Sequence, residues 1–295
     1  MTSDAQLIAR SRASDFLELA KPRITLLVVL TTAVGFAVAS SGPFPLLRFL
    51  HTLVGTALVA GGASALNQVW ERDLDARMRR TERRPLPSGR LSVDLGLLFG
   101  VGLAIVGMAE LAVFVNLLTA LLGGLTLAGY VFLYTPLKQV TSLSTVIGAV
   151  PGAVPPMMGW TAVRDSIGPE AWILFGILFL WQMPHFLAIA WMFREDYARG
   201  GYPMLPVIDP SGVSTARQAV LYCAALLPVS LLPSVFGFAG PIYFGAALVL
   251  GVVLLGYCWE FSRSLTHTSA RKLMMASVLY LPAVLLLLVV DRATR

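Results

Sequence analysis

"NQVWERDLDARMRRTERRPLPSGR", residues 67–90, sets four acids and seven arginines between two strongly apolar runs. The runs, about 46–66 and 93–111, are each roughly 20 residues long, the length of a helix that crosses the hydrocarbon layer of a bilayer. A short, densely charged connection between two such runs is a loop at a membrane surface.

The rest of the chain agrees. Hydrophobic residues make up 57% and charged residues 13%, with a mean hydropathy of +0.76, whereas a soluble domain carries about 25% charge. No segment between the apolar blocks is long enough to fold alone. The sequence therefore predicts an all-α integral membrane protein: an N-terminal segment 1–23, one polytopic domain 24–290 and a short tail 291–295. The first apolar run, from Ile24, is long and follows a polar, mixed-charge start, which argues against a cleavable signal peptide. Nine spans are expected, near 24–41, 46–66, 93–111, 115–134, 143–163, 171–193, 216–236, 241–259 and 273–290. The third and fourth are close enough for a tight hairpin, which would leave eight.

Counting lysines and arginines favours nine. With nine spans, 18 of the 22 fall on one side: Arg10, Arg12, Lys21 and Arg23, the seven between Arg72 and Arg90, Lys138, then Arg194, Arg199, Arg217, Arg263, Arg271 and Lys272. Arg48, Arg164, Arg292 and Arg295 fall on the other. The positive-inside rule then puts the N-terminus in the cytoplasm and the C-terminus outside. The same count explains the pI of 9.6 by topology, so no nucleic-acid partner is expected. Cys223 and Cys258 lie in apolar spans without metal-ligand spacing, and neither a disulfide nor a metal role is assigned to them.

If the second span continues as a helix beyond the membrane, Asn67, Glu71 and Asp75 fall at i, i+4 and i+8 and line one face, about 6 Å apart along the axis. Their oxygens suit Mg²⁺, which takes one or two carboxylates and fills its shell with water and phosphate oxygens. The neighbouring arginines offer the planar, permanently charged donors that phosphate needs. Residues 67–90 thus read as a diphosphate site at the membrane surface; a solvated loop of paired charges does not explain acids at helical spacing that begin with an Asn in an apolar run.

A second charged stretch, "WQMPHFLAIAWMFREDYARGGYPMLP", follows the sixth span on the same side and defines a second loop, 194–215. Glu195 and Asp196 with Arg194 and Arg199 repeat the chemistry of the first site, four spans later. Within the sixth span His185 follows Pro184, which removes a helix hydrogen bond and is expected to kink the chain. An ionisable residue at that depth is a functional candidate; a histidine satisfied by a carbonyl is the plainer alternative, and His51 and His267, near span ends, attract no role. In "YTPLKQVT", 134–141, Lys138 can reach a phosphate and Tyr134 can face a developing carbocation. The fifth span, with "VIGAVPGAVPPMMGW", is expected to be broken or closely packed. Trp160, Trp181, Trp191 and Tyr202 are as easily interfacial belt residues as site residues.

Taken together, "KPRIT", residues 67–89, "YTPLK", "GAVPGAVPPMMGW" and "WQMPHFLAIAWMFREDYARGGYPML" resemble the protohaem IX farnesyltransferase family, a branch of the UbiA superfamily of intramembrane prenyltransferases. The likeness is dense over about residues 20–210. It implies nine helices around a central cavity that opens laterally to lipid beneath cytoplasmic loops, in the cell membrane. It implies that farnesyl diphosphate is joined to the 2-vinyl group of haem b, with water added, to give haem o and diphosphate. Mg²⁺ is the implied cofactor, and haem A synthase or terminal-oxidase assembly are the implied partners. By position, Asn67, Glu71 and Asp75 would hold the metal, Arg80, Arg84 and Lys138 would grip the diphosphate, and Asp196 would fill part of a second acidic motif; His185 is the candidate for contact with haem, as iron ligand or through a propionate. The chain departs from the superfamily pattern in placing Glu71 where Asp is usual, Met192 four residues before Asp196, and Gln139 where an arginine usually follows the lysine. Competing readings are a prenyltransferase for a quinone precursor or chlorophyll-type acceptor, a transporter, and a non-catalytic haem-binding assembly factor.

Overall fold

The computed structural model describes residues 12–293; Arg10 and Arg295 of the charge count lie outside them. Among the described residues nine helices are long and apolar enough to cross a membrane. A short helix α1 (Arg12–Leu19) precedes the spans α2 (Pro22–Ala39), α3 (Leu46–Asp75), α4 (Val93–Phe114), α5 (Leu117–Leu137), α6 (Ser144–Arg164) and α7 (Pro169–Met192). Two short helices, α8 (Arg194–Gly200) and α9 (Leu205–Ile208), lead into the spans α10 (Val213–Val235), α11 (Pro241–Ser264) and α12 (His267–Ala293).

Local chemistry sets the boundaries. Pro22, Pro169 and Pro241 each begin a span, where a missing N–H costs no helix bond and φ is preset. Only Val115 and Asn116 separate α4 from α5, so the third and fourth spans form a tight turn but remain two helices. Asn116 makes the turn possible: its side-chain oxygen accepts from Thr119 N at 2.8 Å and its amide donates to Thr161 O at 2.8 Å. The fifth span breaks at Val154, ahead of Pro155, as its prolines led one to expect. Pro184, by contrast, lies within an uninterrupted α7.

Close packing follows from small residues, since lipid supplies no hydrophobic drive between helices. On α2 and α6, a Cβ at Gly35 would collide with the Pro156 carbonyl and one at Gly159 with that of Thr32. On α3 and α4, a Cβ at Gly62 would lie 2.8 Å from Gly100 O. The main core joins α7 to α10, α11 and α12 around Ile177, Trp181, Leu226, Leu254 and Leu281. Outward-facing Leu98, Val113, Leu125, Ile242 and Leu279 are exposed, as a lipid-facing surface requires. An apolar groove of about 450 Å³ runs between α2 and α12, lined by Leu27, Leu30, Val34, Leu281 and Leu285.

At the arginine-rich end, three devices bring separate elements together. Arg90 ties α1 down, donating to Asp15 at 2.8 Å and Glu18 at 3.0 Å. Gln68 donates to Leu19 O at 2.8 Å. Met78, from the loop after α3, packs with Ala190, Tyr197, Tyr202 and Met204, so loops 67–90 and 194–215 cover the same end of the bundle.

Candidate active site

α3 runs unbroken to Asp75, carrying the second span past the apolar run, and Asn67, Glu71 and Asp75 are all buried, at 2%, 2% and 1% exposure. Burying two carboxylates and an amide demands partners. Each has its own cation. Lys21 Nζ donates to Asn67 Oδ1 at 3.0 Å, Lys138 Nζ to both oxygens of Glu71 at 3.0 and 3.2 Å, and Arg84 Nη1 to Asp75 Oδ2 at 2.6 Å. The cations come from the turn before α2, the end of α5 and the loop after α3, so three distant stretches of chain converge on one helix face.

A distortion in α5 completes the set. Residues Gly129–Tyr134 form a π-helical turn, in which the hydrogen bonds skip one extra residue and the following side chains rotate. Thr135 is thereby placed to donate to Tyr130 O at 2.8 Å and to accept from Asn67 Nδ2 at 3.1 Å. Tyr134 lies 6.0 Å from Lys138 Nζ and 5.1 Å from the ring of Tyr130. Gly148 makes room for it: a Cβ there would stand 2.5 Å from the Tyr134 ring.

The electrostatics follow from this crowding. Burial alone would lower the Lys138 ammonium, but the Glu71 carboxylate against it holds it above the usual lysine range. Lys21 has only an amide partner. Burial, with the Arg84 guanidinium as the next cause, pushes it down to about 7. Lys21 also sits at φ 48°, a left-handed conformation costly for a residue with a Cβ.

The remaining sequence candidates are distributed differently. The Arg80 guanidinium lies 5.3 Å from the Phe193 ring and 5.6 Å from that of Tyr197, linking the two loops by cation–π contact. Asp196 pairs with Arg199 and lines a surface pocket of about 310 Å³ with Met192, Phe193, Arg194, Glu195 and His267. Among the described residues no three His, Cys, Asp or Glu side chains converge as a ready-made metal cage. Two carboxylates and an amide oxygen on one face nevertheless fit Mg²⁺, which draws the rest of its shell from water and substrate phosphate. His185 lies about 10 Å along α7 from Met192, with Nδ1 2.8 Å from Ser277 Oγ and its ring stacked on Trp181 at 5.3 Å. Sequence reasoning gave no role to Lys21, Thr135 or Ser277. The first two stand inside the quoted "KPRIT" and "YTPLK" strings, whereas Ser277 carried no signal.

The chain and its fold have counterparts among known proteins. Among curated relatives, the protoheme IX farnesyltransferase of Solibacter usitatus is 49% identical, covering 94% of this chain and 98% of its own length. That of Myxococcus xanthus is 45% identical, covering 96% of each. Among solved structures, one of a digeranylgeranylglyceryl phosphate synthase superposes with a TM-score of 0.81 at 17% identity, over 96% of this chain and 99% of that one. A UbiA homolog from Archaeoglobus fulgidus bound to GPP and Mg²⁺ superposes with a TM-score of 0.66 at 16% identity, over 93% of this chain and 99% of that one. At such identities the solved structures speak for the fold alone. The model of the UbiA prenyltransferase family matches residues 28–281, from within the first span to within the last and including Asn67, Glu71 and Asp75, and the chain belongs to that family.

Proposed function

We propose that the protein joins the farnesyl group of farnesyl diphosphate to the 2-vinyl group of haem b, with addition of water, releasing haem o and diphosphate. The observation that carries this reading is the pairing of Asn67, Glu71 and Asp75 with Lys21, Lys138 and Arg84, in a chain 45–49% identical to protoheme IX farnesyltransferases along nearly its whole length. Lys138 and Arg84 balance the two carboxylates, and Lys21, held down to about 7, gains its full charge as a polyanion enters, so the site suits an incoming diphosphate.

Mg²⁺ held by Asn67, Glu71 and Asp75 would supply Lewis-acid stabilisation of the departing diphosphate. Lys138 and Arg84, released from their acids, turn to the phosphate oxygens, and Lys21 completes the ring. These groups meet the charge that grows on the leaving oxygen as the allylic carbon–oxygen bond ionises, and so stabilise the transition state more than the ground state. The Tyr134 face supports the allylic cation. The cluster of Met78, Tyr197, Tyr202 and Met204, closed by Arg80 on Phe193, keeps bulk water from the cation until the haem vinyl attacks. Asp196 is paired with Arg199 as Asp75 is with Arg84, and would join a metal only on leaving that arginine. His185, its ring oriented by Ser277 through Nδ1, would meet the haem as an iron ligand or through a propionate. The charged end faces the cytoplasm in this reading, in keeping with the lysine and arginine count.

Membranes containing the protein, supplied with haem b, farnesyl diphosphate and Mg²⁺, are expected to yield haem o on pigment chromatography, and none once divalent metal is chelated. Prenylation of a quinone precursor in the same membranes, without haem o, would reassign the acceptor. His185→Ala is expected to change the absorption spectrum of bound haem; an unchanged spectrum at unchanged affinity would remove His185 as a ligand.

A further inference from the structure

Tyr202 is 1% exposed, yet its hydroxyl finds no hydrogen-bond partner among the described residues. Buried tyrosine hydroxyls are normally paired, as is that of Tyr243, which donates to Ser230 O at 2.8 Å. A phenylalanine at 202 would fill the same space without stranding a polar atom. The position is also built with care. Gly201, at φ +76°, reverses the chain after α8; Tyr202 N then donates to Tyr197 O at 2.9 Å, and Met204 N to Tyr202 O at 2.8 Å. The ring is held against Met78 on one side and lies 4.5 Å from Lys138 Nζ. Burial raises the phenol above its ordinary range, and Lys138, Glu71 and Asp75 all act on it electrostatically. The hydroxyl thus stays a protonated donor, on a ring whose face lies against the Lys138 ammonium.

We infer that Tyr202 is a further diphosphate-binding residue, its buried hydroxyl donating a hydrogen bond to a non-bridging oxygen of the diphosphate that Lys138 grips. As the carbon–oxygen bond breaks, the electron pair stays on the departing oxygen and Tyr202 keeps its proton; the contribution is a hydrogen bond that strengthens as the acceptor gains charge. The inference rests on the reading that a prenyl diphosphate occupies the Asn67 face.

The test uses the full-length protein in detergent, with inorganic pyrophosphate and Mg²⁺ as the binding probe and haem o formation as the turnover assay. Tyr202→Phe keeps the ring, its contact with Lys138 and the packing. It is expected to leave the melting temperature unchanged while turnover falls about tenfold to a hundredfold and pyrophosphate binding weakens, as for loss of a bond to a charged acceptor. Difluorotyrosine at 202, a stronger donor of nearly the same shape, is expected to bind pyrophosphate at least as well as the parent. Parental turnover and affinity in Tyr202→Phe would overturn the inference. Equal losses from phenylalanine and difluorotyrosine would do the same, since they would assign the effect to packing. Should the parent bind pyrophosphate but form no haem o, the acceptor reading fails while the binding comparison still decides the role of Tyr202.

Discussion

Asp75→Asn is expected to cut haem o formation on the order of a thousandfold while leaving the protein folded. The substitution keeps the shape and a hydrogen-bonding oxygen for Arg84, now 2.6 Å from Asp75 Oδ2, but removes one of the two carboxylates on the Asn67 face. Lewis-acid stabilisation of a leaving group amounts to several kcal/mol, and each 1.4 kcal/mol or so is a factor of ten in rate. The net charge of the site rises by one, so diphosphate binding without metal is expected to hold or tighten as turnover collapses. Separate measurement of metal-free pyrophosphate affinity and of single-turnover rate checks both halves. Parental yield from Asp75→Asn would remove the metal-site reading altogether.

Lys138→Met is expected to damage stability and activity together. Lys138 and Glu71 are 9% and 2% exposed, and breaking a buried pair by deleting one partner costs about 3–5 kcal/mol, because the other charge remains buried without compensation. The melting temperature should therefore fall, and added Mg²⁺ should restore part of it by taking the place of the ammonium beside Glu71. Turnover should stay low under the same conditions, since the diphosphate has lost its point charge. Adding Glu71→Gln to Lys138→Met is expected to recover stability but no activity. A Lys138→Met protein as stable and as active as the parent would show that the pair is neither buried in solution nor used.

The seven arginines of residues 72–90 show why part of the site could not be read from the chain. By composition they are equivalent phosphate donors. In the structure Arg84 serves Asp75, Arg80 lies on two aromatic rings, Arg72 pairs with exposed Asp73, and Arg90 pins α1 through Asp15 and Glu18. Their roles depend on what lies across the fold, which local pattern does not encode. Asp196 gives the complementary case: its carboxylate is engaged by Arg199, three residues on, so there the partner is one that the local sequence itself supplies. Tyr202 looked equally at home in an interfacial belt, and proved to be buried beneath a turn that a single glycine permits.

What the sequence determined alone was everything governed by period and by solvent. Apolar runs of membrane length fixed the spans, because in lipid each helix must satisfy its own backbone, and the 3.6-residue repeat put Asn67, Glu71 and Asp75 on one face before any contact was known. Which cation meets which acid was settled by the packing of the helices. Lys21, Lys138 and Arg84 reach α3 from separate stretches of chain through a strained turn, a π-distorted helix and a folded loop, and such long-range convergence is set by how the helices pack.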